Sequence, residues 1–278
     1  MPVTLEAKHA RLRELLAGFG RCLVAYSGGV DSAFLLAEAH DVLGERAVGV
    51  TARSASLPAE EYRDAVELAQ SIGARHETID TAELADPRYS ANAPDRCYFC
   101  KTELFTRLSR RAEAEPGTVL AYGELADDVG DFRPGSKAAR EFGVRAPLAD
   151  AGLTKAEVRE LSRRRGLPTA DKPAMACLSS RVPYGTAITP ELLGQVERAE
   201  AALHRLGFPD VRVRHHGDLA RIEVPRERVS ELAADPLRER ALAAVKAAGF
   251  RFVTVDLAGY RRGSLNERLI PLPVISPV

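Results

Sequence analysis

The sequence predicts an α/β protein, a parallel sheet with helices on both faces, followed by a second, smaller α+β domain. Short strand-like runs at 22–26, 47–51, 75–79 and 118–122 alternate with stretches of helical period, the order of a βαβ chain. From 211 the pattern changes to two strands of alternating apolar and polar residues around His216-Gly217-Asp218, which reads as a hairpin. Between these regions the stretch 167–187 has neither helical nor alternating period. The boundary is placed there, giving domains 1–186 and 187–278.

The first run, 22–26, suits a buried strand, and apolar residues at helical spacing return at 33–39. Ser27-Gly28-Gly29-Val30-Asp31-Ser32 must therefore be the strand-to-helix turn. Such a turn aims backbone N–H groups at one spot. Two glycines permit positive φ and close approach of a ligand, the helix N-terminus adds partial positive charge, and two serines add hydroxyls. The result is a cradle for an anion, most naturally phosphate; a plain capped turn would use similar residues.

Strand 47–51, helix 59–72 and strand 75–79 follow, then a loop rich in Pro, Asp and Asn. A helix at 99–114, a strand at 118–122 and a helix at 136–142 complete the alternation. Asp127 and Asp128 fall just past a strand's carboxyl end, where open parallel sheets bind ligands, though a turn uses the same residues. Thr154 and Glu157 form a capping box that opens another helix, and Gly166 closes it. Arg163-Arg164-Arg165 reads as a solvated last turn favoured by the helix dipole rather than a nucleic-acid contact. Thr189-Pro190-Glu191 starts a helix that runs to 206. After the hairpin strands 211–215 and 219–224 come two helical stretches and a strand at 252–257.

The 278 residues, 45% of them hydrophobic, suffice for two modest domains with real cores. Lys+Arg and Asp+Glu both number 39, so no overall basic character exists to hold a long polyanion. No stretch approaches the roughly 20 apolar residues of a membrane span, and the start lacks the basic-then-apolar pattern of a secretion signal. A cytoplasmic protein without membrane contact is expected.

Four cysteines in a cytoplasmic chain are not a disulfide framework. Cys22 lies in an apolar strand and reads as a buried, inert thiol. Cys97-Tyr-Phe-Cys100 stands at a helix start, where thiols ionise more readily. Alone it is half of a zinc site, a redox pair or neither, and no second CxxC follows. Cys177, in the aperiodic stretch, makes three thiols, a set that suits an iron-sulfur cluster with one iron left open for sulfide or substrate.

The hexapeptide at 27–32 resembles the SGGxDS signature of the PP-loop ATP pyrophosphatases, which split ATP into AMP and pyrophosphate while adenylating a substrate. The stretch 130–137 is not a Walker A loop, because Ser136 stands where a lysine should follow Gly135. RCYFCKTELF, GELADDVGDFRPG, PAMACLSSRVPYGTAIT, VRVRHHGDLARIEV and VDLAGYRRGSLNE together resemble the LarE family, the sulfur-inserting enzymes of nickel-pincer nucleotide synthesis.

The resemblance implies a PP-loop (adenine nucleotide alpha hydrolase-like) domain followed by a small α+β domain. It implies activity on pyridinium-3,5-biscarboxylic acid mononucleotide, whose carboxylates become thiocarboxylates. Ser27, Gly28, Gly29, Asp31 and Ser32 then hold the pyrophosphate end of ATP, with Asp31 near its magnesium. Cys177 matches the cysteine that some members sacrifice, leaving dehydroalanine. Others carry three cysteines and a 4Fe-4S cluster, and because Cys97, Cys100 and Cys177 are all present the cluster is expected here. Arg181, Arg212, Arg214 and Glu223 match positions lining the site, and Lys101 contacts phosphate or is solvated. Sulfide or another sulfur donor, a homo-oligomer and no nucleic-acid partner are expected. The rivals are a tRNA thiolase of the same superfamily and an amide-forming synthetase of the NAD or GMP type; the latter leaves the three thiols without a task.

Overall fold

A computed structural model describes residues 3–128, 134–173 and 176–261. The chain forms two compact units, Met1–Met175 and Ala176–Val278. The break falls before the expected boundary at 186 because the end of the aperiodic stretch bonds within the second unit. Arg181 reaches Glu200, and the Ser180 carbonyl accepts from Arg214.

In the first unit β1 (Arg21–Ala25), β2 (Ala47–Arg53), β3 (Arg75–Asp80) and β4 (Thr118–Ala121) form one sheet in the order β3-β2-β1-β4. Every pairing is parallel, and β1 lies between β2 and β4. A central strand of this kind is buried on both faces, which explains the unbroken apolar run. Cys22 and Val24 join a core with Phe34, Leu36, Leu12 and Leu161, whereas Leu23 joins another with Val50, Phe105 and Leu108.

Helix Ala59–Ile72 has the expected bounds, and the other predicted elements differ by a few residues at their ends. Helix Leu5–Ala17 lies outside the sequence expectation although Thr4 caps it and Leu12 and Leu16 are fully buried. It packs over helix Val30–Leu43, burying that helix nearly all round, Glu38 included. Glu38 is balanced by the guanidinium groups of Arg13 at 3.0 Å and Arg165 at 3.1 Å, and His9 Nε2 lies 2.9 Å from it. Arg163 and Arg164 are likewise paired, with Asp171 and with Glu160 and Glu6. The arginine run thus closes a helix onto acids of its own unit, as its position in a last turn implies. Beyond Arg165, Arg159 donates to the carbonyls of Ala170 (2.7 Å) and Lys172 (2.9 Å), fixing a stretch that has no ladder of its own.

In the second unit β5 (Arg212–His216) and β6 (Leu219–Glu223) form the antiparallel hairpin, turning at Gly217 with φ 64°. β7 (Phe252–Val255) pairs parallel to β6. Helices Pro190–Arg205 and Leu237–Ala247 complete this α+β unit, and Val196, Leu203, Val213, Ile222 and Val245 are among its buried residues. No described helix is long and apolar enough to cross a membrane.

Candidate active site

The loop after β1 is held from beneath by β2. Tyr26 donates its N–H to the Val50 carbonyl at 2.9 Å, and Thr51 Oγ1 donates to the Tyr26 carbonyl at 2.9 Å. The chain then turns at Gly28, whose φ is +73°. A Cβ there would sit 2.7 Å from Ala65 Cβ on helix Ala59–Ile72, so both backbone conformation and space require glycine. Gly29 is different. Its φ of −81° is open to any residue, and it caps helix Val30–Leu43 with no side-chain bond. Positive φ therefore holds at Gly28 only.

Ser27 N–H donates to Ser32 Oγ at 3.2 Å, the two serine hydroxyls are 3.1 Å apart, and Ser32 Oγ donates to the Gly29 carbonyl at 3.2 Å. These bonds close the loop across its mouth and leave the helix N-terminus without a side-chain cap. Orphan N–H groups and the positive end of the dipole then face one spot, the arrangement that binds anions. Gly123, just past β4, supports the other side: a Cβ there would lie 3.1 Å from Asp31 and from the Ser32 nitrogen.

Asp31, in the helix's first turn, is paired by a residue that sequence reasoning did not single out. Lys155 Nζ lies 2.8 Å from each carboxylate oxygen of Asp31. Lys155 is the first residue of helix Lys155–Arg164, whose Thr154–Glu157 capping box forms as expected. The Lys155 N–H donates to Asp127 at 2.8 Å, and Asp128 accepts from the Leu125 N–H at 3.2 Å, so both acids serve the local turn and helix start. Nothing periodic in the sequence marks Lys155 as the partner of Asp31; the pairing arises from packing of distant helices.

The thiols differ by environment. Cys22 is fully buried, and burial pushes its thiol up to about 12, out of reach of ionisation at neutral pH. Cys97 is exposed and Cys100 half-buried, both in the first two turns of helix Arg96–Glu113, where the i, i+3 spacing puts them on one face. Lys101 packs its stem where helix Pro134–Glu141 comes close: a Cβ on Gly135 would meet Lys101 Cγ at 3.1 Å. Gly135, Ser136 and Lys137 are helical, and residues 129–133 of the quoted motif lie outside the described residues. Cys97 and Cys100 belong to the first unit and the exposed Cys177 to the second. Among the described residues no group of three His, Cys, Asp or Glu side chains is gathered as a metal site.

In the second unit the three candidate arginines divide into two kinds. Arg181, 3% exposed, makes a two-pronged pair with Glu200, Nε to Oε1 and Nη2 to Oε2 both at 2.9 Å. Its Nη1 donates to the Ala176 and Cys177 carbonyls at 2.7 and 3.2 Å, steadying the backbone that carries Cys177. Arg214 is buried and donates to Glu223 Oε2 from Nε at 3.0 Å and Nη2 at 2.8 Å, while Arg221 donates to Glu223 Oε1 at 2.9 Å. Glu223 therefore orients arginines. Glu200, absent from the sequence candidates, also accepts the Val213 N–H at 2.8 Å. Its signal was a charged residue on the same helix face as Val196, Ala199 and Leu203.

Arg212 is the exception. Half-buried, it donates Nη1 to the Val211 carbonyl at 2.8 Å and lies 5.4 Å from the centre of the Tyr260 ring, with no carboxylate partner among the described residues. Burial, reinforced by Arg181, lowers its pKa from the ordinary arginine value. Glu200 offsets this only in part, and a partly desolvated guanidinium outside any ion pair is a place for an anion.

A family model for NAD synthase matches residues 8–111, the part that contains the loop and helix Val30–Leu43. An uncharacterized protein of Synechocystis sp. is 48% identical over 95% of this chain and 99% of its own length. Pyridinium-3,5-bisthiocarboxylic acid mononucleotide synthase of Lactiplantibacillus plantarum is 39% identical over 96% of both chains. A tRNA-specific 2-thiouridylase of Cereibacter sphaeroides is 29% identical, but over only 55% of this chain and 50% of its own. With its parallel-sheet nucleotide domain, its smaller second sheet and this end-to-end similarity, the chain belongs to the LarE family of sulfur transferases.

Proposed function

We propose that this protein inserts sulfur into pyridinium-3,5-biscarboxylic acid mononucleotide, in nickel-pincer nucleotide biosynthesis, by adenylating a carboxylate with ATP and then exchanging AMP for sulfur. The observation that carries the reading is the similarity to the Lactiplantibacillus synthase across 96% of both chains, second unit included. The protein acts in the cytoplasm as a homo-oligomer, with sulfide or another sulfur donor as its source.

A carboxylate resists substitution because its charge repels nucleophiles and oxide leaves poorly. Adenylation removes both obstacles. Ser27, Gly28, Gly29 and Ser32 hold the pyrophosphate end of ATP at the uncapped helix start, and stabilise charge as pyrophosphate departs. The Asp31 oxygens, both turned to a cation in the structure, fit magnesium equally well. Lys155, released from Asp31 when the ion binds, has its ammonium beside the phosphates. Arg212 receives an anionic group of the substrate, while Arg181 and Arg214 keep the surrounding backbone and Glu223 in place. Lys101 assists as a further cation.

Cys97, Cys100 and Cys177 would hold the 4Fe-4S cluster. The donor set fits: three thiols outside any disulfide, two sharing a helix face. When bound, that group supplies an iron site open to sulfide. The second reading has Cys177 attack the acyl adenylate as a thioester and then lose its sulfur by elimination, and its exposure favours access. That route gives Cys97 and Cys100 no task.

Incubation with ATP, magnesium and sulfide should place sulfur in the pyridinium nucleotide, read by mass spectrometry; thiolated tRNA with an untouched pyridinium nucleotide would transfer the protein to the thiolase class. Asp31→Ala should abolish AMP and pyrophosphate formation with an unchanged far-UV spectrum, and unaltered pyrophosphate release would remove Asp31 from the mechanism. Replacing Cys97, Cys100 or Cys177 singly with Ala should lower iron content after anaerobic reconstitution to a similar degree. Iron-free wild-type protein that accumulates dehydroalanine at 177 would establish the sacrificial route. Arg212→Ala should raise KM for the pyridinium nucleotide at least tenfold with little loss of stability, whereas Glu200→Ala strands the Arg181 charge and should cost about 3–5 kcal/mol. Denaturant unfolding of the two variants checks the division, and equal stability losses would contradict it.

A further inference from the structure

Beyond the phosphate loop, the carboxyl edge of the first sheet holds a polar cluster that the steps above leave unused. β2 and β3 end in register, Arg53 opposite Asp80. Ser54 and Ser56 follow β2, and Glu83 begins the short turn after β3. Glu83 is 3% exposed, and it accepts from Ser54 Oγ at 2.5 Å and from Ser56 Oγ at 2.8 Å. The hydroxyls are 2.9 Å apart, and the Ser56 N–H donates to Ser54 Oγ at 3.2 Å. Both serines address Oε1. Among the described residues no donor reaches Oε2, and no Lys, Arg or His pairs with this carboxylate.

A bracket between two loops does not require that arrangement, since a glutamine carbonyl would receive two hydroxyls without the desolvation cost of a buried charge. An acceptor-only group with one oxygen unengaged suits a ligand that brings hydroxyl donors. The place agrees. Open parallel sheets bind ligands beyond their strand carboxyl ends, and with strands about 4.8 Å apart the cluster lies one to two strands to the side of the loop at 27–32. Thr51, two residues before Arg53, bonds to the Tyr26 carbonyl and so joins the two sites mechanically. That offset, about 5–10 Å, is within the reach of the sugar of a nucleotide whose phosphates lie in the loop.

We infer that Glu83, steadied by Ser54 and Ser56, is the acceptor for the ribose hydroxyls of the bound nucleotide. The inference rests on the ATP reading above and adds a specificity determinant to it. Titration calorimetry of the full-length protein with ATP, 2′-deoxy-ATP and 3′-deoxy-ATP tests it in the wild type, Glu83→Gln and Ser56→Ala. The wild type should bind at least one deoxy analogue roughly tenfold more weakly than ATP. Glu83→Gln should bind ATP roughly tenfold more weakly and lose that discrimination. Wild-type discrimination retained in Glu83→Gln overturns the inference, as does a wild type indifferent to both analogues; in either case the ATP reading stands. A wild type that binds no ATP removes both. Should thermal melting show Glu83→Gln unfolded, Ser56→Ala decides: weaker discrimination supports the role, and unchanged discrimination rejects it.

Discussion

The close approach of Gly28 to helix Ala59–Ile72 is the constraint on which the rest of the site depends. β1 must leave the sheet, reverse its polar groups and enter helix Val30–Leu43 within a few residues, and it does so where Ala65 allows no side chain. Gly123 imposes the same condition from the β4 side, against Asp31 and Ser32. The loop is therefore walled by backbone on two flanks, and its remaining bonds run between its own serines. Such a loop has little freedom to collapse onto the helix N-terminus. Its N–H groups stay available to an anion without rearrangement, which is the advantage of a preorganised site.

Charge placement follows one rule in both units: a buried charge receives a partner, and where it does not, a ligand has a place. Glu38 illustrates the first half, with Arg13, Arg165 and His9 around it. Arg181 and Arg214 do the same through Glu200 and Glu223. Removing one member of such a pair leaves a charge in a low-dielectric setting, so these residues are required for the fold whatever they touch in the reaction. Arg212 and Glu83 are the departures, one a half-buried guanidinium and one a buried carboxyl group, neither in an ion pair among the described residues. In the readings proposed above, the first serves an anionic group of the substrate and the second the hydroxyls of the nucleotide.

Periodicity made most of the architecture legible. The apolar run of β1, the change from βαβ order to the hairpin at His216-Gly217-Asp218 and the capping box at Thr154 each carry a local signal. Pairings between distant segments carry none. Lys155 and Asp31 are 124 positions apart, and the lysine alone reads as a solvated first-turn residue. Arg212 and Arg214 look equivalent on a strand, being two residues apart on one face, and only their different cross-strand and loop neighbours separate them. Helix Leu5–Ala17 had its cap and its Leu12–Leu16 spacing in the sequence, but its importance comes from covering Val30–Leu43, which is a tertiary fact. The break between units was displaced for the same reason: the loop's composition is neutral about which unit it joins, and the bonds of Arg181 decide.

The tRNA-specific 2-thiouridylase matches only about half of this chain. A protein that grips RNA presents exposed lysines and arginines to successive phosphates, and its affinity falls with salt as those contacts are screened. Here the densest basic run, Arg163 to Arg165, is engaged by Glu160, Asp171, Glu6, Glu38 and Asp41. In the second unit Arg181 and Arg214 are turned inward to glutamates and Arg212 is half-buried against Tyr260, so none of these three presents an open guanidinium to a run of phosphates.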